Sequence, residues 1–199
     1  MKDSVVREQV RRLGRPAVDM LEREIARHER IEAYRRLACG ILLSLVVTAA
    51  LIILVTNLWL GVYQIDGTSM DPLLEIGEIV LTVKDDNPAR GDVIAFYSSS
   101  KLLIKRVIAT GGDRVEIGGD GAVFVNGNAI NEPYVAEKSL GTCDIEFPFQ
   151  VPAGTVFVLG DNRAVSTDSR SRGFGPVSRE QIVGRVVRVL WPLRKAAKV

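Results

Sequence analysis

Hydrophobic and polar positions divide the chain into three stretches with different periods. Residues 1–36 mix charges with apolar residues at helical spacing, and Ala17, Met20, Leu21, Ile25, His28 and Ile31 fall on one loose stripe. Gly14 and Pro16 predict a break and restart in that helix. From Leu37 to Tyr63, "LACGILLSLVVTAALIILVTNLWLGVY" runs 27 residues without a charge. About 20 apolar residues suffice to cross a bilayer core as a helix. Only Ser44, Thr48, Thr56 and Asn57 interrupt the stretch, without the regular polar face of a soluble helix, and Trp59 and Tyr63 stand where aromatic anchors favour the interface. The pattern predicts a transmembrane helix over 37–63, preceded by a cytoplasmic helical segment over 1–36. A cleavable signal peptide has a shorter apolar region and does not follow 36 charged, helix-like residues.

From Gln64 onward the period changes to 2. "EIVLTV", "DVIAFY", "KLLIKRVIA", "RVEIG", "AVFVNG", "TVFVLG" and "IVGRVVRVLW" read as strands separated by Gly, Pro, Asp and Asn turns. Residues 64–199 are therefore expected to form an extracytoplasmic, mainly β domain of coiled antiparallel sheets. The hairpin-rich piece over about 115–151 is expected to be a smaller inserted lobe, with "GGDG" and "NGN" as its turn signals.

Charge orients the span. The first 36 residues carry 10 Lys or Arg against 7 Asp or Glu, with Arg35 and Arg36 at the edge of the apolar stretch; beyond Tyr63 the counts are 16 and 17. Positive residues stay inside, so the N-terminus is placed in the cytoplasm and the β domain outside, in the cell membrane. A net charge of only +2 argues against a nucleic-acid partner. Two isolated cysteines, Cys39 and Cys143, form neither a disulfide framework nor a metal cluster. Cys143 reads as a small, buried apolar residue rather than a nucleophile.

The candidate chemistry is narrowed by elimination. His28 is the only histidine, so no Ser-His-Asp or Cys-His pair can form in the β domain. Neither zinc spacing nor a Gly-rich phosphate loop is present, and no metal or cofactor is expected. A serine hydrolase here would need a lysine as its base, a known variant of triad logic. Lys105 lies within the apolar run "LLIKRVIATGGD", with Leu103 and Val107 on its own strand face and Ile104, Arg106 and Ile108 on the other. A lone strand lysine ordinarily lays its stem on apolar surface and keeps its ammonium in water. To act as a base it must be neutral, and burial is what lowers a lysine from about 10.4. The candidate serine is Ser69 in "QIDGTSMDPLLEIGEIV", a few residues beyond the membrane span and hence near its outer surface; Thr68 and Ser69 could equally decorate a turn. In "LGDNRAVSTDSRSRGFGPV", Asp161, Asn162, Asp168 and Arg170 can stiffen a loop, and Ser166 can orient a nearby lysine nitrogen.

Four motifs in order, "GTSMDPLL", "RGDVIAF", "IKRVIATGGD" and "GDNRAVSTDSRSRGFGPV", follow the membrane span. In this respect the chain, over about residues 37–192, resembles the type I signal peptidases, membrane-bound serine–lysine proteases that remove secretory signal peptides. The resemblance implies a signal-peptidase/LexA-like fold, with Ser69 as nucleophile and Lys105 as general base. It implies that Ser166 orients the lysine, that Asp168 and Arg170 brace the site, and that Arg106, Asp161 and Asn162 support it. Ile65, Leu74, Leu103 and Ile104 match positions lining shallow pockets for small substrate side chains. Cleavage after an A-x-A pattern in secretory preproteins is expected, by a monomer in contact with the lipid bilayer. Two positions depart from the pattern. Gly67 stands where some members carry a serine that helps bind the oxyanion, a glycine being usual in the Gram-positive branch; Leu73 replaces a usual threonine. Three other readings stand beside this one: a dedicated processing peptidase or assembly factor of a pilus locus, a LexA-like self-cleaving regulator, and an inert membrane-anchored binding domain.

Overall fold

The computed structural model describes residues 2–192. The chain separates into two units, residues 1–54 and 55–199. Helix α1 (Lys2–Trp59) is continuous. It passes through Gly14 and Pro16, where the sequence predicted a break. A proline removes one backbone hydrogen bond, and here the flanking turns continue the helix on either side of it. Of the expected apolar stripe, Met20, Ile25, His28 and Ile31 are exposed, while the side chains of Ala17 and Leu21 lie outside the described residues. Among the described residues this is the one helix long and apolar enough to cross a membrane. Two of its hydroxyls turn back on the helix itself. Ser44 Oγ donates to the Ile41 carbonyl at 2.8 Å, and Thr48 Oγ1 to the Ser44 carbonyl at 2.8 Å. Such back-bonding is how a polar side chain is satisfied where no water is available.

The helix ends at Trp59, four residues before the boundary expected from hydropathy. Leu60–Gln64 instead form strand β1, paired antiparallel with β2 (Ile79–Val83), and the Trp59 carbonyl accepts from Lys84 N–H at 2.9 Å. Hydropathy cannot separate the end of an apolar helix from an apolar edge strand that follows without a break.

The other strands are β3 (Val93–Ser98), β4 (Lys101–Thr110), β5 (Arg114–Ile117), β6 (Val123–Val125), β7 (Asn128–Ala129), β8 (Phe149–Gln150), β9 (Thr155–Leu159), β10 (Val177–Ser178) and β11 (Ile182–Trp191). A seven-stranded sheet runs in the order β1-β2-β11-β3-β4-β9-β10, and a four-stranded sheet in the order β7-β6-β5-β8. Every pairing is antiparallel, and register shifts interrupt β11 against β2 and β3, and β4 against β9. Such irregularities bend and twist the strands they interrupt.

Side chains of β4 and β9 alternate between two clusters. Val107, Val156 and Val158 pack with Ile94 and Phe96, whereas Ile108, Phe157 and Leu159 pack against Val115, Val123 and Val125 of the small sheet. Because both faces are covered, the strands read as unbroken apolar runs rather than strict alternation. A third cluster, containing Ile65, Met70, Leu74, Val80, Val93, Val186 and Val189, holds the loop after β1.

Candidate active site

The loop from Ile65 to Glu78 is closed at its base, where Ile65 N–H donates to the Glu78 carbonyl at 2.8 Å and Gly77 N–H to the Ile65 carbonyl at 2.9 Å. Within it, Asp71 N–H donates to the Thr68 carbonyl at 3.2 Å and Leu74 N–H to the Met70 carbonyl at 3.0 Å. Met70 and Leu74 are buried, so the turn is anchored directly after Ser69, which stays partly exposed. Burying a side chain of that size contributes about 1.5–3 kcal/mol.

Lys105 comes from β4, between β3 and β9 in the large sheet, and is only 4 % exposed. Its Nζ lies 2.5 Å from Ser69 Oγ. Burial brings the lysine down from 10.5 to about 8; Asp168 and Asp161 pull it upward, and Arg170 pushes it further down. The desolvation of the ammonium outweighs the nearby carboxylates. A strand lysine would ordinarily reach water, and this one does not.

The segment Gly160–Arg170 is held by buried ion pairs. Arg170 forms a forked ion pair with Asp168, Nε to Oδ1 at 2.8 Å and Nη2 to Oδ2 at 2.8 Å. The remaining donors of Arg170 reach the carbonyls of Leu140 at 2.7 Å and Arg163 at 2.9 Å. Arg106 forks onto Asp161 at 2.8 and 2.6 Å, donates to the Gly91 carbonyl at 2.8 Å, and stacks 3.9 Å from the Tyr134 ring centroid. Asn162 grips the backbone of the Ser69 turn: its N–H donates to the Ser69 carbonyl at 3.1 Å and its Nδ2 to the Thr68 carbonyl at 3.2 Å.

Other sequence-derived candidates take less simple places. Ser166 is buried, yet its Oγ has no hydrogen-bond partner among the described residues, so it does not hold Lys105 in this structure. Ile65, Leu74 and Ile104 join the cluster around Met70 and Val93, whereas Leu103 packs with Ile94, Phe96 and Val107. Neighbouring strand residues point to opposite faces, which separates Leu103 from Ile104. Leu74 is wholly buried and Ile65 nearly so; Leu103 and Ile104 are the two partly exposed members. Cys143 is a partly buried free thiol, its Sγ 3.7 Å from the Ile145 carbonyl. Among the described residues no acidic, histidine and cysteine side chains group as a metal would require.

Sequence reasoning passed over Gly160, Glu132, Tyr134 and the role of Arg163. Gly160 and Arg163 stood inside the polar stretch, but nothing local marked Glu132 as the partner of Arg163, 31 residues away.

The family model described as signal peptidase, peptidase S26, matches residues 39–191. The chain is 39% identical to a signal peptidase I of Bacillus caldolyticus over 151 residues, covering 68% of this chain and 81% of that one. To signal peptidase I U of Bacillus subtilis it is 33% identical over 170 residues, covering 79% of this chain and 90% of the relative. Signal peptidase IB of Staphylococcus aureus is 34% identical over 171 residues, covering 76% and 88%. With a matched segment that takes in the apolar helix end, both sheets and the Ser69–Lys105 pair, the chain belongs to the signal peptidase family, peptidase S26.

Proposed function

We propose that this serine endopeptidase cleaves signal peptides by means of Ser69 and Lys105. The observation that carries the assignment is the 2.5 Å separation of Lys105 Nζ and Ser69 Oγ around a lysine whose burial favours its neutral form. In the neutral amine, a lone pair accepts the Ser69 proton as Oγ attacks the scissile carbonyl. The protonated lysine then gives that proton to the leaving amine. An acyl-enzyme remains, and Lys105 activates the water that hydrolyses it. Ser69 N–H donates to no carbonyl among the described residues and is the first oxyanion donor.

Substrate alignment follows from the sheet. β4 pairs with β3 from Lys101 to Arg106, but β9 begins its pairing only at Arg106. The second edge of β4 before Arg106 therefore has no strand partner among the described residues, and an extended peptide can add to it beside Lys105. Leu103 and Ile104 flank that edge and favour small residues in an A-x-A pattern. The apolar helix anchors the chain in the bilayer with its N-terminus in the cytoplasm, as the flanking charges favour, and a monomer suffices for the chemistry. The relatives matched carry the name signal peptidase I, which does not favour a dedicated pilus-locus role.

Cleavage of a model preprotein in liposomes tests the assignment. Wild-type chain is expected to cut after an A-x-A site, with kcat/KM rising with pH to a midpoint near the lysine value of about 8. Ser69→Ala and Lys105→Ala, both folded, are expected to be inactive. A folded wild-type chain inert on several preproteins, or activity surviving either change, would overturn the assignment.

A further inference from the structure

Resting on the proposed function, we infer that Glu132 and Arg163 are positioning residues: a buried ion pair through which the small lobe fixes the strand end that holds the Ser69 backbone.

The geometry runs outward from the nucleophile. The Ser69 carbonyl is gripped by Asn162 N–H and lies against Gly160 so closely that a Cβ there would come well under 3.0 Å from it. The Gly160 peptide is in turn held on both sides. Its N–H donates to Asp168 Oδ2 at 3.0 Å, and its carbonyl accepts from Arg163 Nε at 3.0 Å. The other two guanidinium nitrogens of Arg163 fork onto Glu132, Nη2 to Oε1 at 2.5 Å and Nη1 to Oε2 at 3.3 Å. Both side chains are essentially inaccessible, at 1% and 0%.

Glu132 lies between β7 and β8, in the segment that belongs to the small lobe. Its Oε1 also accepts from the Tyr134 hydroxyl at 3.2 Å, and the Tyr134 ring lies against the Arg106 guanidinium, which forks onto Asp161. Residues 160, 161 and 163 are thus each tied to a buried ion pair, and two of the three tie-points reach residues 132–134. Among the described residues, neither Glu132 nor Arg163 hydrogen-bonds to Ser69 or Lys105, so any effect on turnover travels through the Gly160–Asn162 backbone. An arginine suits the task because its fixed fork serves a carbonyl and a carboxylate at once, which a lysine ammonium cannot do with the same geometry.

The test uses full-length protein in detergent, with the model preprotein as substrate. Arg163→Lys keeps the charge opposite Glu132 but loses the fork. It is expected to fold, to lower kcat at least about tenfold with KM within about twofold, and to leave the pH midpoint unmoved. Hydrogen exchange at the Asn162 amide, which donates to Ser69, is expected to accelerate at the same time. The double change Glu132→Met with Arg163→Met replaces the pair by apolar side chains, a kind of exchange that often preserves folding. It decides the matter in the same way if Arg163→Lys fails to fold. Either variant, folded, with wild-type kcat and wild-type exchange at Asn162 overturns the inference, as does a loss carried by KM alone. An inert wild-type chain counts against the proposed function instead, and the exchange rates then decide this inference without activity.

Discussion

Gly160 sits directly against Ser69: a Cβ at residue 160 would meet both the Ser69 carbonyl oxygen and the Ser166 Oγ inside 3.0 Å. The Ser166 hydroxyl belongs to a side chain, but the Ser69 carbonyl is backbone, which cannot rotate out of the way. Its φ is ordinary, so glycine is required here by proximity rather than by a left-handed conformation. Gly160→Ala should therefore push the Ser69 turn away from Lys105. Displacements of about 1 Å in a reacting pair can cost about 10²-fold in rate. We expect a loss of that order in kcat, measured on a model preprotein, in a protein that still unfolds cooperatively. Unchanged kcat would show that the turn absorbs the methyl group.

Lys105, the base in the proposed function, should cost stability. The unfolded lysine titrates near 10.5 and the folded one near 8, so between those pH values the unfolded chain holds more protons. Stability then rises with pH across that window, and below about 8 the buried ammonium exerts its full penalty. The difference of the two values corresponds to roughly 3 kcal/mol. Lys105→Met should abolish cleavage yet raise the thermal midpoint at pH 7, with the gain shrinking from pH 8 to 10.5. A midpoint below wild type at pH 7 would mean that the Ser69–Lys105 hydrogen bond outweighs the desolvation.

Asp168 acts on the same titration from the other direction. Its carboxylate raises the lysine, so neutralising it should lower Lys105 further and move the acid limb of the pH–rate profile to lower pH. Asp168→Asn also leaves Arg170 buried without its counter-ion, which costs about 3–5 kcal/mol. Profiles measured at low temperature, where enough protein remains folded, separate the two effects. An acid limb that stays in place or moves up would contradict the electrostatic account.

Gly67 offers the reverse experiment. A Cβ added there meets nothing within 4 Å, and its φ lies outside the left-handed region. Gly67→Ser should fold as well as wild type. With Ser69 as the proposed nucleophile, the new hydroxyl two residues before it is expected to supply a second oxyanion donor, and such donors are worth about 10²–10³ in rate when removed from a site that depends on them. We expect kcat to rise by about tenfold. No rise in kcat would indicate that another group already fills that place.

By itself the sequence determined the elements and the type of chemistry. The uncharged stretch from Leu37 marked a helix long and apolar enough to cross a bilayer, and period-2 runs marked seven of the eleven strands among the described residues. The absence of histidine beyond residue 28 left lysine as the available base, and the motif resemblance pointed to Ser69 and Lys105. These features are local: hydropathy and alternation act within a few residues of chain.

Tertiary structure decided what depends on register and distance. Strand β1 could not be told from the end of the helix, because only its pairing with β2 makes Leu60–Gln64 a strand. The short strands β7, β8 and β10 are two residues each and have no period to read. Burial of Lys105 required sheet and loops to close around it. Arg106 meets Asp161 across 55 residues, and Arg163 meets Glu132 across 31. No local pattern names such partners, since a one-residue slip in any intervening strand would turn them to the opposite face. The requirement for glycine at 160 has the same origin, because it comes from a backbone 91 residues earlier in the chain arriving at van der Waals range.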